Sequence, residues 1–374
     1  MPRTSHRRWL IRQAVVWGLG AAVLRLVVVP AESCPPVGAA DVRRAIDEGA
    51  AWLVRGQRED GRFMYGYSSS LDKISSAYVS TRHAGVVDVL YRIGRIRAAD
   101  DGLRYVLDNL ISYNGWAAFA PGGEDANVGT NALVVAALIH RRRATGDERY
   151  DGLAGGLARF LLAQQRADGS ILQYWRPATR RSVPGVFGKF STGEAFWALA
   201  LMHRTFPAEG WGRRAHREAA YLATRRDEAE GHATRQPDHW AAYGLAELEP
   251  ELTAVEVRYA RRLAGEFGFL IRFESQHTGR ALNPFVESGA ELGTIGEAAA
   301  ALWRLAGTDT RLADLRAKLG DRIECLAGIL VDRQASPAER NPRARGAWFA
   351  DGYTQMDDQQ HAIAALLGAR EVLR

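Results

Sequence analysis

The sequence lacks the features that mark several classes of protein. Its 374 residues include only 2 Cys, which excludes a small fold held together by disulfides. Its 38 Gly and 13 Pro follow no short period, which excludes a collagen-like or low-complexity chain. Apolar residues make up 47% of the chain and charged residues 25%, a balance that excludes disorder. The chain is therefore globular and long enough to bury a sizeable core.

A concentrated basic surface is also missing. Lys and Arg number 49 against 43 Asp and Glu, which gives a formal net charge of +6. The Arg residues are scattered along the chain apart from the run at 141–143. Because a nucleic-acid site gathers basic residues on one face, the sequence predicts no nucleic-acid partner.

Long apolar runs are absent except at the N-terminus. Basic residues over 3–8 precede a mostly apolar stretch over 14–30, an order typical of an export signal or a membrane anchor. Ala31 and Ser33 place small residues at the −3 and −1 positions of a cleavage after Ser33. Residues 1–38 are therefore predicted to be a signal peptide or membrane anchor, with the protein outside the cytosol and membrane association through this segment.

Two points about this end of the chain stay open at the level of sequence. An N-terminal helix packed on a cytosolic domain is the alternative to export. Cys34 and Cys325 can pair in an oxidising compartment, but two cysteines so far apart give no spacing pattern that predicts a disulfide.

Beyond residue 40 there is little of the period-two apolar alternation that predicts strands, so the body is predicted to be all-α. Instead, one type of helix recurs, in which a polar residue and an Ala open a run of small and aliphatic residues. The polar residues of the six copies are His83, Asn131, Glu194, Asp238 or His239, Glu297 and His361.

More amphipathic helices with many charges alternate with these apolar ones. They are predicted at 41–56, 97–112, 150–165, 211–226, 253–270 and 312–333. Apolar helices suit an inner layer and charged ones an outer layer, and the copies recur about every 56 residues, the length of a helical hairpin. The prediction is an (α/α)6 toroid of six hairpins over residues 39–374. An open solenoid of the same hairpins is the competing architecture.

Two outer helices are followed by related turns, QREDG from Gln57 and QRADG from Gln165. These resemble the QxxDG turns of the prenyltransferase and squalene-cyclase repeat family. That family is an α/α-toroid superfamily, similar in layout to the (α/α)6 glycan hydrolases, lyases and sugar epimerases. The resemblance implies the toroid fold, because an Asp-Gly pair ends a helix in a left-handed turn and the Gln can bond loop carbonyls.

Inner helices of a toroid run in one direction, so their N-terminal ends meet at one mouth. Carboxylates and imidazoles gathered there, beside positive helix ends, have the composition of a general acid–base site. The candidate catalytic residues are Glu194, Glu297, His83, His361, His239 and Asp358, the last with helix capping as its alternative role. The candidate substrate-binding residues are Arg82, Tyr78, Asn131, Tyr243, Asp357 and Trp116.

Neither a metal nor a cofactor is predicted, because no HxxxH or HxxE pair lies on one helix. The family's terpene cyclases use a DxDD acid, whereas this chain has only Asp357 and Asp358 after Gln355-Met356. Protein prenyltransferases use an Asp, Cys and His zinc set, whereas Cys325 falls in a predicted outer helix.

The favoured function is a carbohydrate-active enzyme acting on a polysaccharide or small molecule. Hydrolysis would use Glu194 and Glu297 as acid and base. Epimerase or lyase chemistry would move protons on His83, His239 or His361, beside Arg82 as the group that holds a substrate carboxylate. The alternatives are a terpene-cyclase or prenyltransferase-like enzyme and a non-catalytic ligand-binding toroid.

We expect the chain before residue 38 to be cleaved or membrane-held, because its basic start and apolar run have no counterpart in the hairpin repeat. Cell fractionation and N-terminal sequencing of the full-length protein check this. A cytosolic protein that retains Met1 would contradict it.

Overall fold

The computed structural model describes residues 3–23, 30–230, 237–278 and 288–374. Its described part is predominantly helical, as the sequence predicts. The helices are α1 (Arg3–Val23), α2 (Ala39–Arg55), α3 (Ser80–Arg92), α4 (Ile96–Leu107), α5 (Val128–Thr145), α6 (Asp151–Gln164), α7 (Ser191–Thr205), α8 (Trp211–Thr224), α9 (Arg226–Glu230), α10 (His239–Leu248), α11 (Ala254–His277), α12 (Gly289–Thr308), α13 (Arg316–Arg333) and α14 (Met356–Val372).

Twelve of the described helices form two concentric layers. The inner layer consists of α3, α5, α7, α10, α12 and α14, and the outer layer of α2, α4, α6, α8, α11 and α13. Each inner helix packs against the next, and α14 packs against both α2 and α3. The ring is therefore closed, which confirms the (α/α)6 toroid and excludes the open solenoid.

The inner helices consist mainly of small and aliphatic residues, so they can be buried on almost every side. In α5, every residue from 132 to 139 is at most 3% exposed. Small residues also let neighbouring axes approach closely: Gly244 lies against the ring of Phe196, and Gly293 lies against the backbone of His361 with no room for a Cβ. The outer helices keep one charged face towards water.

The three Gln residues that end outer helices have a structural role. The Nε2 of Gln57 donates to the carbonyl of Ala98 in α4, 2.9 Å away, and the Nε2 of Gln165 donates to Arg214 in α8 at 3.2 Å. Gln334 closes the ring in the same way, since its Nε2 donates to the carbonyl of Ala45 in α2 at 2.9 Å. Each Gln thus fastens the end of one outer helix to the next.

The two ends of the toroid differ in their loops. At one end, an inner helix passes to the next outer helix through a short connection such as 93–95 or 146–150. At the other end, the mouth, four long connections hold the short antiparallel strands of the described chain. The strands are β1 (Gly66–Ser68), β2 (Lys73–Ile74), β3 (Leu110–Tyr113), β4 (Trp116–Phe119), β5 (Ala126–Asn127), β6 (Tyr174–Arg176), β7 (Arg181–Ser182) and β8 (Tyr353–Gln355).

Strand pairing explains one difference from the predicted helix boundaries. The helix predicted over 97–112 ends at Leu107, because residues 110–113 form β3 and pair with β4. In the last long connection β8 pairs with β1, so the first and last hairpins also join at the mouth. Helix α11 runs on to His277 instead of ending at 270, and Ile271 continues its buried face.

Residues 30–38 lie against the outer layer. Ser33 donates its backbone N–H to the carbonyl of Ser275 at 2.7 Å, and Glu32 forms ion pairs with Arg272 and Arg322. Cys34 and Cys325 form a disulfide. Part of the apolar stretch over 14–30 lies outside the described residues. Among the described residues, no helix combines the length and hydropathy required to cross a bilayer.

Replacing both cysteines by serine is expected to lower the free energy of unfolding by about 2 to 5 kcal/mol, because the disulfide closes a very long loop in the unfolded chain. The bridged residues are 291 positions apart. Urea unfolding of the oxidised protein and of the double variant measures the difference. Reductant should destabilise the wild type alone, and equal stability of the oxidised wild type and the variant would contradict a structural disulfide.

Candidate active site

A cavity of about 530 Å³ opens at the mouth, where the first turns of several inner helices converge. All six inner helices contribute to its wall, α5 through Leu133 alone. Six residues predicted from the sequence line it, namely Arg82, Glu194, His239, Asp357, Asp358 and His361. The convergence expected from the hairpin repeat therefore gathers half of the predicted residues around one space.

Two imidazoles are in edge-to-face contact in this cavity. The ring centroids of His239 and His361 are 5.3 Å apart and their planes are nearly perpendicular. His239 is 2% exposed, and neither of its ring nitrogens has a hydrogen-bond partner within the described residues. Burial, and then the neighbouring His361 and Lys189, lower the pKa of His239 well below its usual value. His239 is therefore neutral at physiological pH.

His361 is held by a buried carboxyl group. Glu297 is fully buried, and its Oε1 lies 2.7 Å from the Nδ1 of His361. A carboxylate only accepts hydrogen bonds, so the Nδ1–H of His361 donates to it and the Nε2 of the neutral ring is left to accept a proton. Glu297 does not line the cavity itself, and so it acts on the site through His361.

Glu194 is a buried carboxyl group that lines the cavity. Its Oε2 lies so close to Gly129 that any Cβ there would collide with it, which explains a glycine in the first turn of α5. Burial, reinforced by the negative charge of Asp238, raises the pKa of Glu194 to about 8. Glu194 therefore carries a proton at neutral pH and can donate it.

A cluster of buried charged side chains lies next to Glu194. The guanidinium of Arg226 donates to Asp238 at 2.7 Å and to Glu230 at 3.4 Å. Asp238 also caps α10, because its Oδ1 accepts from the backbone N–H of Trp240 at 3.1 Å. Of the two alternatives for the fourth polar position, Asp238 is thus the cap and His239 is the residue that reaches the cavity.

Arg82 is occupied by neighbours within the cavity wall. Its Nε lies 2.9 Å from Asp357, and its Nη1 contacts both Tyr65 and Gln355. The predicted role of Arg82, to hold a substrate carboxylate, would therefore require the displacement of Asp357.

Asp358 caps two helices and also lines the cavity. It accepts backbone N–H groups from Ala290 at 3.0 Å and from Gln355 at 2.8 Å, so the capping alternative holds. Burial and the adjacent Asp357 raise its pKa to about 6.

His83 and Tyr78 do not reach the cavity, so their predicted place in the ring is wrong. The Nδ1 of His83 lies 2.6 Å from the hydroxyl of Tyr78, and its Nε2 lies 3.0 Å from the carbonyl of Gly102 in α4. Because the loop over 56–79 packs Phe63 against His83, the imidazole turns towards the outer layer. Burial lowers the pKa of His83 to about 4.

Asn131, Tyr243 and Trp116 are also placed away from the cavity, contrary to prediction. The side chain of Asn131 bonds both backbone groups of Phe119 and so fixes β4. Tyr243 accepts a hydrogen bond from Arg92 at 3.0 Å and lines a separate cavity at the other end of the barrel. Trp116 is buried in an aromatic cluster of the β3–β4 and β5–β7 loops.

Sequence reasoning missed several residues that line the mouth cavity. They are Thr81, Lys189, Phe190, Trp240, Glu291, Thr294 and Gln360. Most of them lie in loops or beside the repeated polar position, so the repeat pattern does not detect them. Trp240 was detectable, because it follows His239 directly at the start of α10.

Comparison with known proteins identifies the architecture. No protein-family model matches the chain, and a search of the curated proteins found no match. Solved structures are similar in fold. The cellobiose 2-epimerase from Spirochaeta thermophila DSM 6192 is 14% identical with a TM-score of 0.61, and the match covers 89% of this chain and 96% of the epimerase.

Two further structures share this layout. An inactive variant of the α-1,6-mannanase from Salegentibacter sp. HEL1_6, in complex with α-1,6-mannotriose, is 11% identical with a TM-score of 0.63 and matches over 89% of this chain and 99% of its own. A D-mannose isomerase is 13% identical with a TM-score of 0.59 and matches over 89% and 97%. At these identities the similarity shows the (α/α)6 toroid fold.

We predict that Glu194 titrates near pH 8, because burial favours its neutral form. NMR of side-chain ¹³C-labelled Glu, with Glu194→Gln to assign the signal, measures this pKa. The folded pKa lies above the ordinary value of 4.5 for a Glu side chain, so between about pH 4.5 and 8 unfolding releases a proton. The stability of the wild type relative to Glu194→Gln should therefore fall as pH rises through this window. A carboxyl signal that titrates near pH 4.5 would contradict the prediction.

Proposed function

We propose that this chain is a carbohydrate-active enzyme of the epimerase or isomerase type, which moves a proton on a sugar carbon next to a carbonyl group. The observation that carries the proposal is the His239–His361 pair, two imidazoles in edge-to-face contact, with ring centroids 5.3 Å apart, that line one cavity. Inversion of a carbon centre by proton transfer needs one group to remove the proton and another to return it, and paired imidazoles suit both steps near neutral pH.

The surroundings give the two imidazoles different roles. Glu297 accepts from the Nδ1 of His361 and stabilises its imidazolium form after proton uptake, which suits His361 as the base. His239 is neutral, has no competing partner among the described residues and contacts the ring of His361, so it can accept the proton from the His361 imidazolium and return it to the carbon. Loss and gain of one proton leave the sugar neither oxidised nor reduced.

Other groups of the cavity can interact with the oxygen atoms of the sugar. Glu194, protonated at neutral pH, can donate to the ring oxygen as the sugar opens to its carbonyl form. The N-terminal ends of five inner helices surround the cavity and stabilise negative charge on the enediolate oxygen. The similarity in fold to a cellobiose 2-epimerase and to a D-mannose isomerase supports this reaction type, and the mannotriose complex of the mannanase supports an oligosaccharide as substrate.

Hydrolysis is the second candidate, and one observation favours it. Glu194 and Asp358 line the same cavity, and the pKa values of both are raised, to about 8 and about 6. One protonated and one ionised carboxyl group is the arrangement that glycoside hydrolysis requires. The pair predicted from the sequence, Glu194 with Glu297, is less suited to hydrolysis. Glu297 is fully buried and bonded to His361, and it does not line the cavity.

Terpene cyclisation has less support. Asp357 pairs with Arg82, and Asp358 accepts two backbone N–H groups, so neither resembles the strong acid that protonates an alkene.

We also propose that the protein acts outside the cytosol, with residues 1–38 as the signal or anchor and 39–374 as the toroid. The Cys34–Cys325 disulfide supports an oxidising compartment. Removal of all of residues 1–38 would also remove Glu32 and Cys34, so the ion pairs of Glu32 and the disulfide support an anchor that stays attached over a cleaved signal.

Incubation with reducing sugars, including glucose, mannose and cellobiose, tests the reaction type through product analysis. An epimerase or isomerase yields the C2 epimer or the ketose, whereas a hydrolase yields shorter sugars. We expect His239→Phe and His361→Asn to lower kcat by at least about 100-fold. His216→Asn is the matched control, because His216 pairs with Glu256 at 2.8 Å between outer helices.

Circular dichroism should show that these variants stay folded. Full epimerase activity in either folded variant of the cavity would overturn the roles proposed here. Hydrolysis products that depend on Glu194 and Asp358 would favour the second candidate.

A further inference from the structure

Three side chains from three inner helices form a compact group of metal-ligand type. His239 begins α10, Glu297 lies in α12 and His361 lies in α14. Each offers one ligand atom, and these atoms all lie within 4.8 Å of one another. Packing of consecutive inner helices brings them together, although they are far apart in the sequence.

This group contains buried polar atoms that protein contacts do not satisfy. Within the described part of the chain, both ring nitrogens of His239 and the Oε2 of Glu297 are buried without a hydrogen-bond partner. A buried polar atom without a partner costs free energy, so such atoms beside a cavity indicate a place for a ligand. His239 and His361 both line the mouth cavity, which leaves the group open to ligands from solution.

The donor set selects one kind of ion. Imidazole nitrogens and a carboxylate oxygen suit Zn²⁺ and similar transition metals, whereas Mg²⁺ and Ca²⁺ prefer oxygen ligands alone. The bond from the Nδ1–H of His361 to Glu297 is the arrangement that orients a metal-binding imidazole through its other nitrogen.

We propose that Zn²⁺, or a divalent transition metal of the same ligand preference, binds to His239 and His361 beside Glu297 and inhibits the enzyme reversibly. The metal occupies the nitrogen lone pairs that would exchange protons with the sugar. The inhibition rests on the proposed function, whereas the binding does not. The sequence search for HxxxH or HxxE finds nothing here, because it detects ligands of one helix and this group draws on three.

Isothermal titration of the chelator-treated full chain with Zn²⁺ tests the binding. We expect one ion per chain and no competition from excess Mg²⁺. His239→Phe and His361→Asn should each weaken binding by at least about 100-fold, and Glu297→Gln by about 10- to 100-fold. His216→Asn should bind as the wild type does, because it removes an equivalent His–Glu pair at the outside of the ring.

Co²⁺ provides a second readout that does not depend on activity. Its visible absorption on binding should report nitrogen coordination in the wild type and disappear in His239→Phe. Absence of Zn²⁺ binding, or binding that is unchanged in both folded histidine variants, would overturn the site.

Activity assays distinguish Zn²⁺ binding from inhibition by Zn²⁺. If an epimerase or isomerase activity is found, Zn²⁺ should inhibit it and EDTA should restore it. Stoichiometric binding with stimulated activity would overturn the inhibition and leave the site standing. Stoichiometric binding without activity on any sugar would likewise support the site while the proposed function fails.

Discussion

Close packing of six small-residue helices around one axis is the constraint on which the rest of this structure depends. Ala and Gly at the contacts let the inner helices approach each other, and the outer helices shield them from water. Because all six inner helices run in one direction, their positive N-terminal ends converge at the mouth. The connections there are long and carry the strands, whereas those at the other end are short. The converging inner helices thus form the wall of the cavity, and the long loops surround its opening.

The repeat in the sequence was sufficient to predict the ring and part of the site. In each inner helix the repeated polar residue before an Ala predicts how far along the barrel axis its side chain lies. Glu194, His239 and His361 do all line the mouth cavity. Register does not give the direction in which a side chain leaves its helix. His83 turns to α4 and Asn131 to β4, because the loops above them offer hydrogen-bond partners there. Those loop paths depend on long-range strand pairing, which a local pattern cannot predict.

The cavity concentrates polar groups that are costly to bury. Glu194 keeps a proton, His239 stays neutral without a partner among the described residues, and Glu297 leaves one oxygen unsatisfied. The rigid helices that carry these groups hold them in place despite this cost. A site of this kind binds whatever satisfies its unpaired atoms, and both a sugar and a transition metal do so. Catalysis and metal inhibition are therefore two consequences of one arrangement.

The central claim is that His239 and His361 exchange protons with a carbon atom of a sugar. Incubation of the protein with reducing sugars in D₂O, followed by NMR of the recovered sugars and products, measures this exchange directly. The account predicts deuterium at C2 of an epimer or at C1 of a ketose in the presence of the wild-type protein, and none with His361→Asn. Conversion of a sugar to its C2 epimer or ketose without deuterium incorporation, or equal incorporation with the variant, would contradict it.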